Sequence, residues 1–246
     1  MTKVINLLNA QIHNLSMAET ILKVEEAIQN KSHLHHSVVN AGKIVAMQND
    51  RQLRESVNSA DIVNADGQAV IWASKILKQP LKERVAGIDL MSNLIEIAAK
   101  KNYKIFFLGA EEHIVKSVVE KYQNQYSKSL IAGYRNGYFS KSEELKIAKQ
   151  ISDSEAQILF VAMSSPKKEN FLFDHSKQLQ NINFIMGVGG SFDVVAGKVK
   201  RAPQWMQKSG LEWLYRVIQE PKRMWKRYLI GNTKFIFLVL KAYLKP

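Results

Sequence analysis

The 246-residue chain contains no cysteine, which excludes disulfide bonds, thiolate metal sites and cysteine nucleophiles. This absence fits a reducing cytoplasm. Long apolar runs are also missing, since the longest one in the last part of the chain is Phe235–Leu240, six residues between two lysines. A membrane-spanning helix needs roughly 20 apolar residues, so we expect no transmembrane helix. The first residues lack the apolar segment and cleavage site of a secretory signal peptide.

Acidic residues are scarce in the last fifth of the chain. From Lys198 onward, twelve Lys and Arg residues stand against two acids, which accounts for ten of the thirteen net positive charges. Aromatic and long aliphatic residues alternate with these cations, and solvated faces rarely carry so many of them. The composition indicates an anionic partner at an apolar boundary, with a phospholipid surface first, substrate phosphates second and nucleic acid third. A solvated basic face is the plainer alternative.

Upstream of this tail, short β-branched or aromatic runs alternate with helix-like periodic runs. Continuous apolar runs are typical of strands buried on both faces, and their alternation with helices predicts a parallel sheet wrapped by helices. We predict an α/β core over residues 1–197 and a basic amphipathic helical appendage over residues 198–246. The predicted strands are Val4–Leu8, Ser37–Asn40, Asp61–Asn64, Lys104–Gly109, Leu130–Tyr134, Gln157–Ala162 and Ile182–Val188. The predicted helices are Ser16 to about Gln29, Gly67–Leu77, Asp89–Lys101, Glu111–Tyr126, Ser142–Ser152, Lys167–Gln180 and about Lys222 to Leu240.

A carboxylate, Asp66, directly follows one predicted strand and precedes a glycine that opens a helix. Ligands of parallel α/β sheets bind beyond the carboxyl ends of the strands. Asp66 can therefore face a cleft and accept a proton from a bound hydroxyl group. The alternative is that Asp66 is a helix N-cap, a position that Asp favours.

Another apolar strand ends in a glycine-rich loop, Gly187–Gly190, which is followed by Asp193. Glycines let a backbone approach a ligand closely, and Asp193 can accept hydrogen bonds from a base or a ribose. The dinucleotide-binding fingerprint belongs after the first strand of its unit, so this loop does not match it. Arg84 precedes a glycine turn and suits bidentate phosphate binding. An ion pair of Arg84 with Glu83 or Asp89 is equally compatible with the sequence.

Three histidines precede a predicted strand: His33, His35 and His36. No acid or further histidine stands at ligand spacing nearby, so we expect them to face solvent and predict neither a metal nor a cofactor. Three arginines of the tail are spaced seven and then four positions apart: Arg216, Arg223 and Arg227. On a continuous helix they would share one face.

Eight motifs are spread along the chain: NADG at Asn64–Gly67, ERVAGID at Glu83–Asp89, FLGA at Phe107–Ala110, GYF at Gly137–Phe139, SPKKE at Ser165–Glu169, GVGGSFD at Gly187–Asp193, RAPQWM at Arg201–Met206 and EWLYRVIQEPKRMWKRYL at Glu212–Leu229. Together they resemble the WecG/TagA/CpsF family of bacterial glycosyltransferases, from about Val4 to Tyr228. The resemblance implies a metal-independent, inverting enzyme that moves a sugar from a UDP-sugar to a polyprenyl-diphosphate-linked sugar in cell-surface polysaccharide or teichoic acid synthesis. It also implies a peripheral enzyme at an anionic membrane surface, on the cytoplasmic face of the bacterial plasma membrane, with no nucleic acid partner. Homo-oligomerisation stays open.

The resemblance also implies roles for residues. Asp66 corresponds to the catalytic base, and Ser37 stands near a threonine of the family's active-site pocket. Arg84, Arg216 and Arg223 correspond to diphosphate-binding residues, while Tyr138 and Asp193 correspond to residues that contact the nucleoside. The full expected substrate-binding set is Ser37, Asn40, Asn64, Arg84, Tyr138, Lys168, Gly187, Gly189, Asp193, Arg216, Arg223 and Arg227.

Two departures from the family pattern leave the donor sugar open among N-acetylmannosamine, its uronic acid, glucose and others. Lys168 replaces a common glutamine, and the third tail arginine of the family falls at or beside Lys226, with Arg227 next to it. Lys168 can pair with a uronic acid carboxylate or a phosphate, or it is a neutral change or a sign of altered activity. A non-catalytic peripheral membrane adaptor is therefore the alternative function.

Overall fold

The structure is a computed structural model that describes residues 2–244, apart from the side chains of Arg223 and Arg227. Its strands are β1 (Val4–Leu7), β2 (Ala10–His13), β3 (Leu34–Val39), β4 (Ile62–Ala65), β5 (Ile105–Gly109), β6 (Ile131–Arg135), β7 (Ile158–Ala162) and β8 (Phe184–Gly187). Its helices are α1 (Met17–Gln29), α2 (Ala41–Asn49), α3 (Arg51–Asn58), α4 (Gln68–Ile76), α5 (Gly87–Lys101), α6 (Glu112–Gln125), α7 (Glu144–Ser152), α8 (Lys167–Asp174), α9 (Ser191–Val195), α10 (Gln204–Lys208), α11 (Glu212–Gln219) and α12 (Pro221–Leu244).

Six strands form one parallel sheet in the order β4-β3-β8-β7-β5-β6. Every residue of β4, β5, β7 and β8 is buried, as expected for strands that helices cover on both faces. The predicted α/β fold with a Rossmann-like parallel sheet is thus confirmed. Because all six strands run the same way, the loops that follow them meet at one edge of the sheet.

The first strand lies outside this sheet, so the placement predicted for Val4–Leu8 is wrong. β1 pairs antiparallel with β2, a strand that the sequence analysis missed. Ile5 and Leu7 are buried while the residues next to them point outward. This alternation is typical of a strand with one solvated face, rather than of a strand inside a parallel sheet.

Helices cover the main sheet on both faces. On one face α1, α5 and α6 pack around Phe107 and Phe184. On the other face α2, α3 and α4 pack around Val39 and Val63, and α7 and α8 pack around Phe106. The apolar runs of the sequence therefore build one sheet that separates two layers of helices.

The helix predictions are confirmed for α1 and α4 to α7, with ends shifted by one or two residues. The prediction for Lys167–Gln180 is too long, because residues 175–180 form turns. The sequence analysis missed α2 and α3, although Asn40 and Asp50 cap them with side-chain hydrogen bonds to Lys43 and Leu53, a recognised helix-start signal.

The tail folds back onto the body of the protein. α12, which contains the predicted helix from about Lys222 to Leu240, packs against α2 and α4 and buries Phe235 and Val239 in their apolar cluster. Gly210, with a φ of 76°, lies against α4, where an added Cβ would come within 2.8 Å of Cγ of Gln68. None of the helices within residues 2–244 combines the length and hydropathy of a membrane span.

Candidate active site

Asp66 lies at the carboxyl edge of the sheet, directly after β4. Its N–H donates to the carbonyl oxygen of Val39 on β3 at 2.9 Å. Its Oδ1 accepts a hydrogen bond of 3.1 Å from the N–H of Gly87, the first residue of α5. Gly67 is the N-cap of α4, so the reading of Asp66 as the cap of that helix is wrong. The sheet and the start of α5 instead fix the carboxylate in place.

The electrostatic surroundings make Asp66 a better base than an exposed aspartate. Its side chain is surrounded by protein but keeps part of its surface accessible. Burial raises the pKa of Asp66 to about 6, against the hydrogen bond from Gly87 and the positive charge of Arg84, while Glu212 raises it and Arg216 lowers it. A carboxylate with this pKa is mostly ionised at neutral pH and accepts a proton more readily than one near 4.

Arg84 lies beside this carboxylate in a network of ion pairs. Nη1 of Arg84 is 3.2 Å from Oε2 of Glu212 on α11. Nε of Arg201 is 3.8 Å from Oε1 of the same Glu212. Arg201 also donates to both carboxylate oxygens of Asp89, at 2.5 and 2.8 Å. The sequence analysis offered Glu83 or Asp89 as the partner of Arg84. The structure instead pairs Arg84 with Glu212 of the tail.

Arg216 brings a third guanidinium group to the same edge. Its Nη1 lies 3.9 Å from the position that a Cβ on Gly190 would take, and Oδ2 of Asp193 lies 3.7 Å from that position. Arg216 therefore lies against the glycine loop after β8, close to Asp193. The Cβ position of Gly189, whose φ is 53°, has no described heavy atom within 4 Å. The backbone of this loop is therefore accessible to a ligand.

Two of the predicted contacts come from the end of β3. Asn40 accepts a hydrogen bond from the N–H of Lys43 at 3.0 Å, and its Cβ lies 3.4 Å from the position that a Cβ on Gly67 would take. Asn40 is therefore a neighbour of the residue that follows Asp66. Ser37 lies inside β3, is buried and pairs in register with Val63, three residues before Asp66.

Asn64 lies beneath the site rather than in it. It is 1% exposed, and its Oδ1 is 3.2 Å from Oγ1 of Thr20 and 2.8 Å from Nε2 of His36. The expectation that the three histidines lie on a solvent-facing loop is wrong for His35 and His36, because both belong to β3 and His36 is buried. Burial lowers the pKa of His36 to about 4. His36 is thus a neutral donor that fixes Asn64, two residues before Asp66.

Lys168 is buried as well, with 7% of its surface exposed. Its Nζ lies 2.6 Å from Oε1 of Glu169, which also pairs with Nζ of Lys43 at 2.8 Å. Burial alone would raise the pKa of Glu169, but the two ammonium groups outweigh it and lower the pKa to about 2. A Cβ on Gly187 would come within 2.9 Å of Cε of Lys168. Gly187 therefore leaves room for the lysine stem, and Lys168 faces a carboxylate of its own chain.

Tyr138 lies in the loop that follows β6 and is 71% exposed. This loop folds back over the ends of β5 and β7, because the N–H of Gly137 donates to the carbonyl oxygen of Ala110 at 2.9 Å and a Cβ on Gly137 would come within 2.9 Å of Cγ of Met163. Tyr138 is thus available to a ligand at the same edge of the sheet as Asp66. The side chains of Arg223 and Arg227 lie outside the described part, although their backbone belongs to α12.

The sequence analysis missed Glu212, Arg201 and Asp89 as members of the site. Each stands inside a motif that was singled out, EWLYR, RAPQWM or ERVAGID. Arg201 pairs with Asp89 across 112 positions of the chain, and Glu212 pairs with Arg84 across 128. Local spacing in the sequence does not reveal such distant pairs. The remaining signal was charge, because Glu212 is one of only two acids in a strongly basic tail.

Comparison with known proteins gives one consistent answer. A family model described as the glycosyl transferase WecG/TagA/CpsF family matches residues 5–246. The chain is similar to the N-acetylglucosaminyldiphosphoundecaprenol N-acetyl-beta-D-mannosaminyltransferase of Bacillus subtilis (strain 168), with 37% identity over 205 residues, 83% of this chain and 78% of the relative. The protein with the same name from Bacillus spizizenii is also 37% identical, over 196 residues, 80% of this chain and 74% of the relative. The chain belongs to the WecG/TagA/CpsF family of glycosyl transferases, and the resemblance carried by the motifs is confirmed.

Proposed function

We propose that the protein transfers a sugar from a UDP-sugar to a polyprenyl-diphosphate-linked sugar. The observation that carries this proposal is the position of Asp66, a partly accessible carboxylate with a pKa near 6, among the charges of Arg84, Arg201 and Arg216. A base next to several guanidinium groups suits a reaction that takes up a proton and releases a diphosphate. The names of the Bacillus relatives indicate N-acetylmannosamine as the first donor sugar to test and N-acetylglucosaminyldiphosphoundecaprenol as the acceptor.

In the proposed reaction Asp66 takes the proton of an acceptor hydroxyl group. The oxygen of that hydroxyl forms a bond to the anomeric carbon while the bond from this carbon to the diphosphate oxygen breaks. UDP leaves with the bonding electron pair on the face opposite to the attack, so the configuration inverts. Asp66 is mostly ionised at neutral pH, so the base is ready before the acceptor binds.

The departing UDP carries growing negative charge, which positive groups must stabilise. Arg84 and Arg216 lie close enough to Asp66 to influence its charge, and guanidinium groups form strong charge-assisted hydrogen bonds with phosphate oxygens. We propose that they bind the diphosphate without a metal and that Arg223 and Arg227 assist them. Asp193, the accessible backbone of Gly189 and the exposed Tyr138 then suit the nucleoside.

A large exposed apolar surface on the tail supports binding to a membrane. Its exposed residues in the last two helices are Trp213, Leu214, Ile218, Trp225, Leu229, Ile230, Ile236, Phe237, Leu240, Tyr243 and Leu244. Cations stand between them, so the surface suits an anionic lipid face rather than open water. We propose that the protein binds peripherally at the cytoplasmic face of the plasma membrane, where the lipid-linked acceptor is held.

A UDP-release assay with a panel of UDP-sugars and a short-chain polyprenyl-diphosphate sugar tests the proposal. We expect release that requires both substrates and persists in EDTA, with UDP-N-acetylmannosamine among the accepted donors. Release that disappears in EDTA and returns with a divalent cation would overturn metal independence. Lipid-vesicle binding without release for any donor would favour the adaptor alternative.

A further inference from the structure

Glu212 holds a position that the proposed reaction does not use. It is the first residue of α11 and is only partly exposed. Its two carboxylate oxygens point to different guanidinium groups, Oε2 to Arg84 at 3.2 Å and Oε1 to Arg201 at 3.8 Å. A single carboxylate therefore bridges the segment before α5 and the segment before α10.

This bridge continues into the core of the protein. Arg201 donates two hydrogen bonds to Asp89 in the first turn of α5. The same helix donates the N–H of Gly87 to Asp66. The base and the bridge thus share one rigid element, α5, which fixes their relative positions.

Glu212 and Arg216 are four positions apart on α11, so they stand on the same face of the helix, one turn from each other. α11 has no buried residue among those described. Its Trp213 ring packs on Tyr228 of α12, with 5.8 Å between centroids, and its last residue, Gln219, forms hydrogen bonds with the backbone of Lys200. The ion pairs of Glu212 fix the opposite end of the helix and help to turn the face of Arg216 towards the glycine loop after β8.

We propose that Glu212 is a positioning residue that docks α11 on the core through Arg84 and Arg201, so that Arg84 and Arg216 converge on one diphosphate. Its role in the reaction rests on the proposed function, but the docking itself does not. Glu212 contacts Nη1 of Arg84, and a guanidinium group has five N–H donors. Arg84 can therefore bind a phosphate oxygen while Glu212 stays in place.

The opposite role makes the opposite prediction. If Glu212 instead competed with the diphosphate for Arg84, its removal would free Arg84 and tighten UDP binding. If Glu212 positions Arg84 and α11, its removal weakens UDP binding and slows transfer. The sign of the change in UDP affinity therefore decides between the two roles.

The test uses the full chain with Glu212→Gln, and Glu155→Gln as the matched control. Glu155 forms an ion pair with Lys104 at 2.9 Å beside the amino ends of β5 and β7, away from the carboxyl edge. Loss of one hydrogen bond to a charged group typically changes a binding constant by about 10- to 100-fold, so we expect Glu212→Gln to lower UDP affinity and kcat/KM by about that factor. The control variant should match the wild type in both.

A double-mutant cycle shows whether Glu212 acts through Arg84. We expect the losses in UDP affinity of Glu212→Gln and Arg84→Ala to be less than additive, because the two residues belong to one network. The double variant should still bind UDP more weakly than Arg84→Ala alone, because Glu212 also holds α11 through Arg201. Tighter UDP binding by Glu212→Gln, or fully additive losses in the cycle, would overturn the proposal.

Two further readouts separate positioning from simple loss of stability. In hydrogen exchange without substrates, amides of residues 204–219 should exchange faster in Glu212→Gln while β4 and β5 keep their protection; unchanged exchange in 204–219 contradicts docking.

The pH profile of transfer is the second readout. The charged groups facing Asp66 are Arg84, Arg201, Glu212 and Arg216. Because Glu212 raises the pKa of Asp66, the acidic limb of kcat/KM should move to lower pH in Glu212→Gln. If the wild type transfers no sugar at all, the proposed function fails, while the exchange measurement still decides the docking.

Discussion

The two sides of the candidate active site are held in different ways. Asp66 follows a fully buried strand and is tied to Val39 and Gly87 by hydrogen bonds. Arg216 lies on a surface helix, which ion pairs and a neighbouring helix hold to the body. The difference indicates that the proposed base is built into the core, whereas Arg216, which we propose to bind the diphosphate, stands on a helix with no buried residue among those described. Each prediction below either sharpens this contrast or removes it.

The largest effect is expected on the core side. Asp66→Asn removes the base but keeps an oxygen that can accept from Gly87, so UDP binding should stay close to that of the wild type. Turnover should fall by about 10²- to 10⁴-fold, the usual contribution of a general base. Single-turnover kinetics and UDP titration measure the two quantities. Asp61→Asn, just before the amino end of β4, is the matched control and should keep full turnover. Full activity of Asp66→Asn would remove it from this role.

The anchor of the tail gives the next largest effect. Phe235 is 4% exposed and Phe237 on the same helix is 71% exposed. Phe235→Ala should cost about 3–5 kcal/mol of folding free energy through lost burial and a cavity, and should loosen α12. Phe237→Ala should change stability by less than about 0.5 kcal/mol and instead reduce binding to anionic vesicles. Denaturant unfolding and vesicle co-sedimentation check the pair. Equal stability losses would mean that the tail is not docked as described.

On the tail side, Arg216→Ala should weaken UDP binding by about 10- to 100-fold, the value of one charge-assisted hydrogen bond of about 1.5–3 kcal/mol. Lys208→Ala removes an exposed cation of the same tail from α10 and serves as the control. Its UDP affinity should equal that of the wild type, as calorimetry would show. Equal losses in both variants would mean that general positive charge, rather than the position of Arg216, binds the nucleotide.

The last prediction concerns the dependence of folding stability on pH. Burial raises the pKa of Asp66 from 3.8 to about 6 in the folded state, so the folded protein binds this proton more tightly than the unfolded chain. Ionised Asp66 therefore costs stability above about pH 6, and the cost disappears as pH falls through the window from about 6 to 3.8. Asp66→Asn should melt at a higher temperature than the wild type at pH 8, with the difference vanishing near pH 4. A difference that grows towards low pH would contradict the raised pKa.

Most of the sheet was predictable from the sequence, because short continuous apolar runs are typical of buried strands. β1 was misplaced, although the exposed Asn6 between Ile5 and Leu7 already marked a strand with one solvated face. The cap residue Asn40 was visible too, but α2 behind it lacks a strong amphipathic pattern, and its helical period was overlooked.

Within the site, the position of Asp66 was predictable, since the end of a buried strand in a parallel sheet fixes where the next side chain lies. The partners of Arg84 were not, because Glu212 is 128 residues away and only the folded tail brings it near. Burial of Lys168 was equally hidden. A lysine is expected at the surface because of its charge. Lys168 is buried because Glu169 pairs with its ammonium group and because Gly187, which has no Cβ, leaves room for its stem.

The burial of Phe235 and Val239 has a consequence for protein synthesis. They share one apolar cluster with Ile5 and Leu7, which the ribosome makes well before them. A nascent chain that has just completed β8 contains all six strands of the parallel sheet but still lacks part of that cluster, so α2 and α4 expose apolar surface until α12 is made. The apolar cluster is therefore completed by the same tail that, from Lys198 onward, carries ten of the thirteen net positive charges.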